Sequence, residues 1–375
     1  MIVTGETSGE LYGALLASSL KKRRPDIRIT GIGGERMQQA GVELISGISS
    51  AFGLAEAISS VRTIKKTFGK AVSALQMYKP DVLVLIDYPD FNLKLAGEAQ
   101  KNHIKVLYYV SPQVWAWREK RVSKMAGLVD KMAVVLPFEE EIYKTAGLPC
   151  EFVGHPVYDE IKNLPTEKEA LKSELGLEQG RPLLSLLPGS RPHELERLLP
   201  LMLEVVREFR KEHVNYQFCM PFAPNTDMEK HRPVLRLLRE EGIAVNKGES
   251  LKTLAASEVA VIASGTATLQ AALLGIPLVV VYRLSPLTYW IGRMIVKVKH
   301  VSLVNILSGR EVVKELLQSE ATAGNTLHEL RKILSSVSHK KNMLEAYVRI
   351  RDMFSSKNAS GRVADIVEEM AGWKR

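Results

Sequence analysis

Short apolar runs separated by amphipathic stretches constrain this chain more than any other feature. They fall at 28–32, 82–86, 106–110, 132–135 and 152–153, then at 183–187, 217–220, 259–262 and 278–282. Most are continuous, as in Val-Leu-Val-Leu-Ile at 82–86, rather than alternating apolar with polar. A strand with one wet face alternates; a strand covered on both faces does not need to. Parallel strands with helices on both sides are therefore expected, in the order β-α-β-α, which is an α/β, doubly wound architecture. A further strand before Gly5 is very short and reads either as an abbreviated edge strand or as one truncated by a late start codon.

A chain of 375 residues is too long for one ordinary core. The composition changes over 155–182, where His155-Pro156 closes an apolar run and the polar Glu178-Gln179-Gly180-Arg181-Pro182 precedes the next. That stretch reads as a linker. Two domains follow, 1–160 and 161–340. Residues 341–375 form a helical tail that packs on the first domain or on a partner chain.

The net charge of +9 favours an anionic partner: nucleic acid, lipid headgroups or a phosphorylated substrate. Two distant cysteines, Cys150 and Cys219, argue against a disulfide framework and for a reducing compartment. No secretory signal is evident, and no apolar run reaches the roughly 18 residues that span a bilayer. A cytoplasmic protein is expected, with a membrane surface still open to it.

In open parallel sheets ligands bind beyond the carboxyl ends of strands, so the residues after each strand carry the candidates. Gly5-Glu6-Thr7-Ser8-Gly9-Glu10 opens a helix running to about Arg23, whose free N–H groups favour an anion or oxygen-rich ligand. The alternative is a simple capped start with Ser8 as the N-cap. Asp87-Tyr88-Pro89-Asp90-Phe91-Asn92 places two carboxylates after an apolar strand, where desolvation suits Asp87 to general-base work. Asp90 serves equally as a helix cap. Ser111-Pro112-Gln113-Val114-Trp115-Ala116-Trp117-Arg118 is either a sugar-binding aromatic surface or a loop buried under a helix. His155, alone after Gly154, is either a ligand-binding or a structural histidine.

In the second half, Gly189-Ser190-Arg191 follows a buried strand, with Glu194 three residues on. Glycine admits a phosphate close to the backbone, Ser190 donates, and Arg191 clamps an oxyanion; a tight turn with a solvated arginine is the alternative. Ser264-Gly265-Thr266-Ala267-Thr268 opens another helix without the lysine or spacing of a P-loop. Together the two loops make a diphosphate site. No clustered His/Cys spacing suggests a metal, and no cofactor is expected.

Two segments suit a membrane surface. Leu287, Trp290, Ile291, Met294, Ile295 and Val298 form one helical stripe beside Arg293 and Lys297; Ile58, Val61, Ile64, Phe68 and Val72 form another beside Arg62, Lys65, Lys66 and Lys70. Either stripe serves equally as a core-facing face.

Taken together, GETSGELYGA (5–14), PDVLVLIDYPDFNL (80–93), YYVSPQVWAWREKRV (108–122), LPFEEEIY (136–143), FVGHPV (152–157), LPGSRPHE (187–194), ASGTATLQAALLGIPLVVVYR (263–283) and VSLVNILSGREVVKELLQ (301–318) resemble the lipid-A-disaccharide synthase family across nearly the whole chain. The resemblance implies two Rossmann-like domains of the GT-B type with a cleft between them. It implies an inverting, metal-independent hexosyl transfer from UDP-2,3-diacylglucosamine to 2,3-diacylglucosamine 1-phosphate, at the inner face of the cytoplasmic membrane, with no nucleic acid and with a homodimer left open. Asp87 matches the family's essential aspartate and Arg191 the arginine after Gly-Ser. Glu6, Ser8, Ser264, Thr266 and Asn305 match positions lining the cleft. Gly9, Asp90, Asn92, Trp115, His155, Gly189, Ser190, Gly265 and Gln270 complete the expected substrate-binding set. The chain departs from the family pattern at Glu10, where Asp is frequent, at Gln270, where Glu is usual, and before Asn305, where a proline is missing. The competing readings are another GT-B enzyme acting on UDP-N-acetylglucosamine, and a basic binding module without catalysis.

Overall fold

The computed structural model describes residues 1–47, 57–114, 120–165, 167–224, 226–284 and 299–373. The chain divides into two compact units, Met1–Asp159 with Ser356–Arg375, and Glu160–Ser355. The tail read as one piece is thus divided. Helix Val337–Ser355 stays with the second unit, and helix Ala359–Ala371 packs on helix Thr7–Arg23 of the first.

The first unit holds a seven-stranded parallel sheet: β1 (Ile2–Thr4), β2 (Thr30–Gly33), β3 (Glu43–Gly47), β4 (Val82–Ile86), β5 (Lys105–Tyr109), β6 (Lys131–Val134) and β7 (Cys150–Phe152), in the order β3-β2-β1-β4-β5-β6-β7. The second holds six parallel strands: β8 (Leu183–Leu187), β9 (Gln217–Phe222), β10 (Ile243–Lys247), β11 (Val259–Ala263), β12 (Leu278–Tyr282) and β13 (Glu315–Leu317), in the order β10-β9-β8-β11-β12-β13. Both orders reverse beside the first strand of the unit. The chain runs outward from β1 to β3, then returns to place β4 on its other side; β8 and β11 repeat the arrangement. These reversals leave a crevice at the carboxyl ends of β1/β4 and of β8/β11.

Continuous apolar strands are buried on both faces, as their composition demands. Every residue of β4, β8 and β11 is buried. Two expectations are corrected. The first strand is not an edge: β1 pairs with both β2 and β4. Three strands escape the sequence pattern, β3, β10 and β13, and each lies at a sheet edge. Edge strands are half-covered: the three central residues of both β3 and β10 are only partly buried, so no long apolar run marks them.

The stripe at Ile64, Phe68 and Val72 is a core face. These residues pack against the first unit's hydrophobic cluster, with Phe68 edge-on to Phe91 at 5.4 Å between ring centroids. Arg62, Lys65, Lys66 and Lys70 are left on the exposed side. Residues 286–298 lie outside the described residues. No helix among the described residues is long and apolar enough to cross a membrane.

Candidate active site

The loops after β1 and β4 meet. Gly5 lies so close to Tyr88 that a Cβ on it would sit 2.3 Å from the tyrosine ring. The helix after β1 spans Thr7–Arg23, and its N-cap is Glu6, in extended conformation, not Ser8. Ser8 instead lies in the first turn, half-buried. Gly9 is required by packing, since a Cβ there would meet the Thr4 hydroxyl at 2.2 Å. Glu10 turns away from the loop: its Oε1 accepts from the main-chain N–H of Arg36 at 2.9 Å, near the start of helix Glu35–Gln39. A longer side chain than aspartate reaches that donor, which gives the departure at Glu10 a structural role.

Asp87 follows buried β4 with φ +49°, and Tyr88 continues at +47°. Left-handed backbone costs a non-glycine residue about 1–3 kcal/mol and persists only where neighbours enforce it. Two buried donors do so here. Asn92 Nδ2 donates to the carbonyls of Ile86 at 3.2 Å and Asp87 at 2.7 Å, and the Tyr108 hydroxyl donates to the same Asp87 oxygen at 2.5 Å. Burial, then the Asp87 charge, pushes the Tyr108 phenol well above its ordinary pKa, so it remains a donor. Asn92 is fully buried. It braces the turn from beneath, and the Asp87 side chain is half-exposed above.

Asp90 is exposed in the first turn of helix Pro89–Lys101 and pairs with Arg121 at 2.5 Å. Burial, then the charges of Asp90 and Glu6, raises the Tyr88 pKa, so both carboxylates bear on that ring. The structure thus gathers Gly5, Glu6, Asp87, Tyr88 and Asp90, with Arg121 as a cation the sequence reading passed over. Trp115 lies outside the described residues. His155 stands elsewhere, buried edge-on to Tyr12 at 6.0 Å. Its Nδ1 accepts from the Val157 N–H at 3.2 Å, and burial lowers its pKa to about 3.

The strand β5 also ends under strain, with Val110 at φ +65°, a rare conformation for a β-branched residue. Ser111 beyond it is buried and bonded to Glu139 at 3.1 Å and to Tyr143 at 2.8 Å. This internal network anchors Ser111 to helix Glu139–Thr145.

In the second unit, Gly189 at φ +104° brings the β8 loop over Glu194. Glu194 Oε2 accepts from the N–H groups of Ser190 at 3.1 Å and Arg191 at 3.2 Å, and Tyr282 donates to Oε1 at 3.3 Å. The cradle expected for a phosphate is therefore already filled by a carboxylate, and the group turned to solvent is the half-exposed Arg191 side chain, 3.9 Å from Glu194. Glu194 lies three positions after the N-cap Arg191, the spacing at which an acidic side chain reaches back to the N-cap N–H.

The loop after β11 remains an open helix N-terminus. Gly265 is exposed with φ +138°, and Thr266 begins helix Thr266–Leu274. Ser264 donates to the carbonyl of Val301 at 2.9 Å, and Gln270 is half-buried one turn into the helix. Asn305 is fully buried and internally committed. Its Nδ2 donates to Val313 O at 2.9 Å and Glu315 at 2.8 Å, and its Oδ1 accepts from the N–H groups of Val312 and Val313. It fixes the turn before β13 rather than facing outward. Among the described residues no group of three or more His, Cys, Asp or Glu is placed to hold a metal ion.

Solved structures share this arrangement. A putative UDP-N-acetylglucosamine 2-epimerase from Listeria monocytogenes is similar with a TM-score of 0.72 at 13% identity, over 100% of this chain and 96% of that one. A calicheamicin glycosyltransferase is similar with a TM-score of 0.60 at 16% identity, over 99% and 97%. The fold class is GT-B, two Rossmann-like α/β units each with its own switch-point loops. At such identities the likeness concerns the fold alone.

Sequence narrows the class. A family model for lipid-A-disaccharide synthetase matches residues 1–367. The lipid-A-disaccharide synthase of Syntrophus aciditrophicus is 42% identical over 97% of this chain and 95% of its own length. That of Geobacter metallireducens is 40% identical over 100% and 98%, and that of Myxococcus xanthus 40% over 99% and 97%. The chain belongs to the lipid-A-disaccharide synthase family, and its activity is that of a hexosyltransferase forming the lipid A disaccharide. The alternative of a UDP-N-acetylglucosamine enzyme of the same fold is not favoured.

Proposed function

We propose that the chain transfers a 2,3-diacylglucosamine unit from its UDP derivative to the 6-hydroxyl of 2,3-diacylglucosamine 1-phosphate, releasing UDP. In this reading Asp87 takes the proton of the attacking hydroxyl, which reaches the anomeric carbon from the face opposite UDP and inverts it. Arg191 and the helix start at Thr266 hold the charge that develops on the departing diphosphate. Gln270 holds the ribose hydroxyls, and Glu6 and Asp90 orient the acceptor sugar.

One observation carries the assignment. Asp87 stands at the β1/β4 switch point, in a strained turn that Asn92 and Tyr108 enforce from the core. A turn needed only to reverse the chain would not require two buried side chains to hold it left-handed. The net charge of +9 and the exposed face of Arg62, Lys65, Lys66 and Lys70 support work at an anionic inner-membrane surface.

The test supplies both diacylated substrates and follows disaccharide and UDP. Asp87→Asn is expected to lower kcat by about 10²–10⁴-fold, the usual contribution of a general base, with an unchanged circular dichroism spectrum. Activity within a few-fold of the native enzyme removes Asp87 from that role. Absence of any disaccharide from the folded native protein overturns the reaction itself.

A further inference from the structure

We infer that Glu315 is a positioning residue for the donor nucleotide, acting through Val301 and Ser264. The inference rests on the reading that the loops after β8 and β11 hold the UDP moiety.

Glu315 opens the edge strand β13, yet its side chain points inward and is buried, 9% exposed. An unpaired carboxylate there would be expensive, and it is not unpaired. Its Oε1 accepts from the Ser302 N–H at 2.9 Å, the Ser302 hydroxyl at 2.7 Å and Asn305 Nδ2 at 2.8 Å; its Oε2 accepts from the Val301 N–H at 3.0 Å. One carboxylate therefore gathers the segment 301–305. Val301 passes the constraint on, because its carbonyl is the acceptor of the Ser264 hydroxyl at 2.9 Å. Ser264 is the residue before Gly265, where the chain enters helix Thr266–Leu274. The line Glu315–Val301–Ser264 thus runs from the buried edge of the sheet to the open helix N-terminus.

The chemistry needs a carboxylate. Four hydrogen atoms converge on two oxygens, and glutamine supplies only one oxygen. In Glu315→Gln the amide oxygen keeps the three donors on the Oε1 side, and the NH₂ group faces the Val301 N–H, donor against donor. The variant severs the link to Val301 while leaving Ser302 and Asn305 held. A residue needed only for stability would lower the melting temperature without touching substrate affinity. A positioning residue would raise donor KM and UDP Kd while kcat stays near native.

The experiment measures KM for the UDP-diacylglucosamine, kcat and UDP Kd by titration calorimetry. The variants are Glu315→Gln, Ser264→Ala and the double variant. We expect Glu315→Gln to raise donor KM and UDP Kd about tenfold, the effect of losing one well-placed bond to a charged group, with kcat within about twofold. Ser264→Ala is expected to do the same, and the double variant no more than either alone, since both break one line. Native UDP affinity in Glu315→Gln overturns the inference, as does a double variant whose effects multiply. If Glu315→Gln does not fold, native affinity in Ser264→Ala overturns it instead. Arg191→Ala separates the underlying reading: if UDP binding ignores Arg191 as well, the donor site is misplaced; if it depends on Arg191 but not on Glu315, only the present inference fails.

Discussion

The side-chain amide of Asn92 donates to the main-chain oxygen of Asp87 at 2.7 Å, so a fully buried residue sets the backbone of a half-exposed one. The same amide reaches Ile86 O, which ties the last strand residue and the first turn residue together. Asn92→Ala would take one donor from Ile86 O and one of the two from Asp87 O, and is expected to cost about 1–3 kcal/mol. Asp87 would then be free to leave its left-handed conformation, and kcat should fall about tenfold or more. Tyr108→Phe removes one of the two donors to Asp87 and keeps the other, so its loss in both stability and kcat should be smaller. Thermal melts and steady-state kinetics on the two variants read the order directly. Native kcat in Asn92→Ala would show that the turn does not set the position of Asp87.

This relationship also marks where sequence reading stops. The strand β4 announces itself in Val-Leu-Val-Leu-Ile, and Asp87 is conspicuous at its end because burial on both faces is written in composition. Nothing in composition says that Asp87 and Tyr88 adopt positive φ, or that Val110 does, since that strain is imposed by partners distant in sequence, such as Tyr108 below Asp87. Buried polar residues are ambiguous in a sequence. Asn92, His155 and Asn305 look like ligands in a sequence, because polar residues after strands so often are. Each is buried and bonded to the main chain. Glu315 was passed over for the opposite reason, as a charge at the start of a short run on an edge that no apolar pattern reveals.

Glu194 fills the turn that sequence alone would leave for a phosphate, and Gly189 makes room for it. A Cβ at 189 would stand 2.1 Å from Glu194 Oε2, on a backbone with φ +104° that resists any side chain. Gly189→Ala is expected to displace the carboxylate, lower the melting temperature and weaken UDP binding together. Glu194→Gln should behave differently. Its amide oxygen can still accept from Ser190 and Arg191, and its NH₂ can donate to the Tyr282 oxygen. Loss of the negative charge near Arg191 should leave stability nearly unchanged and tighten UDP binding by up to about fivefold, within the range of a surface ion pair. Weaker UDP binding in Glu194→Gln would mean that the carboxylate itself orients Arg191.

His155 gives the fold a defined response to acid. Burial among Tyr12 and the Val153–Val157 turn lowers its pKa from 6.5 to about 3, so the native protein keeps it neutral. The unfolded chain takes a proton below pH 6.5 that the native state refuses. The unfolded state therefore binds more protons between pH 6.5 and about 3, and stability falls as pH falls through that window. The slope from this one group approaches about 1.4 kcal/mol per pH unit, and above pH 6.5 it vanishes. His155→Gln should flatten the curve below pH 6.5 relative to the native protein, whatever its absolute stability. Parallel curves for the two proteins in urea titrations across pH 4–7 would refute the assignment. The same neutrality removes His155 from any pH dependence of kcat near pH 7.

The family resemblance implies a glutamate where this chain has Gln270, the residue that the proposed function sets on the donor ribose. It is half-buried one turn into helix Thr266–Leu274, behind an N-terminus left open by Gly265. A carboxylate accepting from ribose hydroxyls makes a stronger bond than an amide, about 1.5–3 kcal/mol against 0.5–1.5. Gln270→Glu is therefore expected to lower UDP Kd about fivefold, and the gain should shrink for a 2′-deoxyuridine diphosphate that lacks one of the hydroxyls. An unchanged Kd, or an equal gain with the deoxy ligand, would place the ribose elsewhere and detach Gln270 from the donor site. If the gain appears only with the full ribose, the native amide is a weaker grip retained by this chain, and faster UDP release should accompany it in single-turnover measurements.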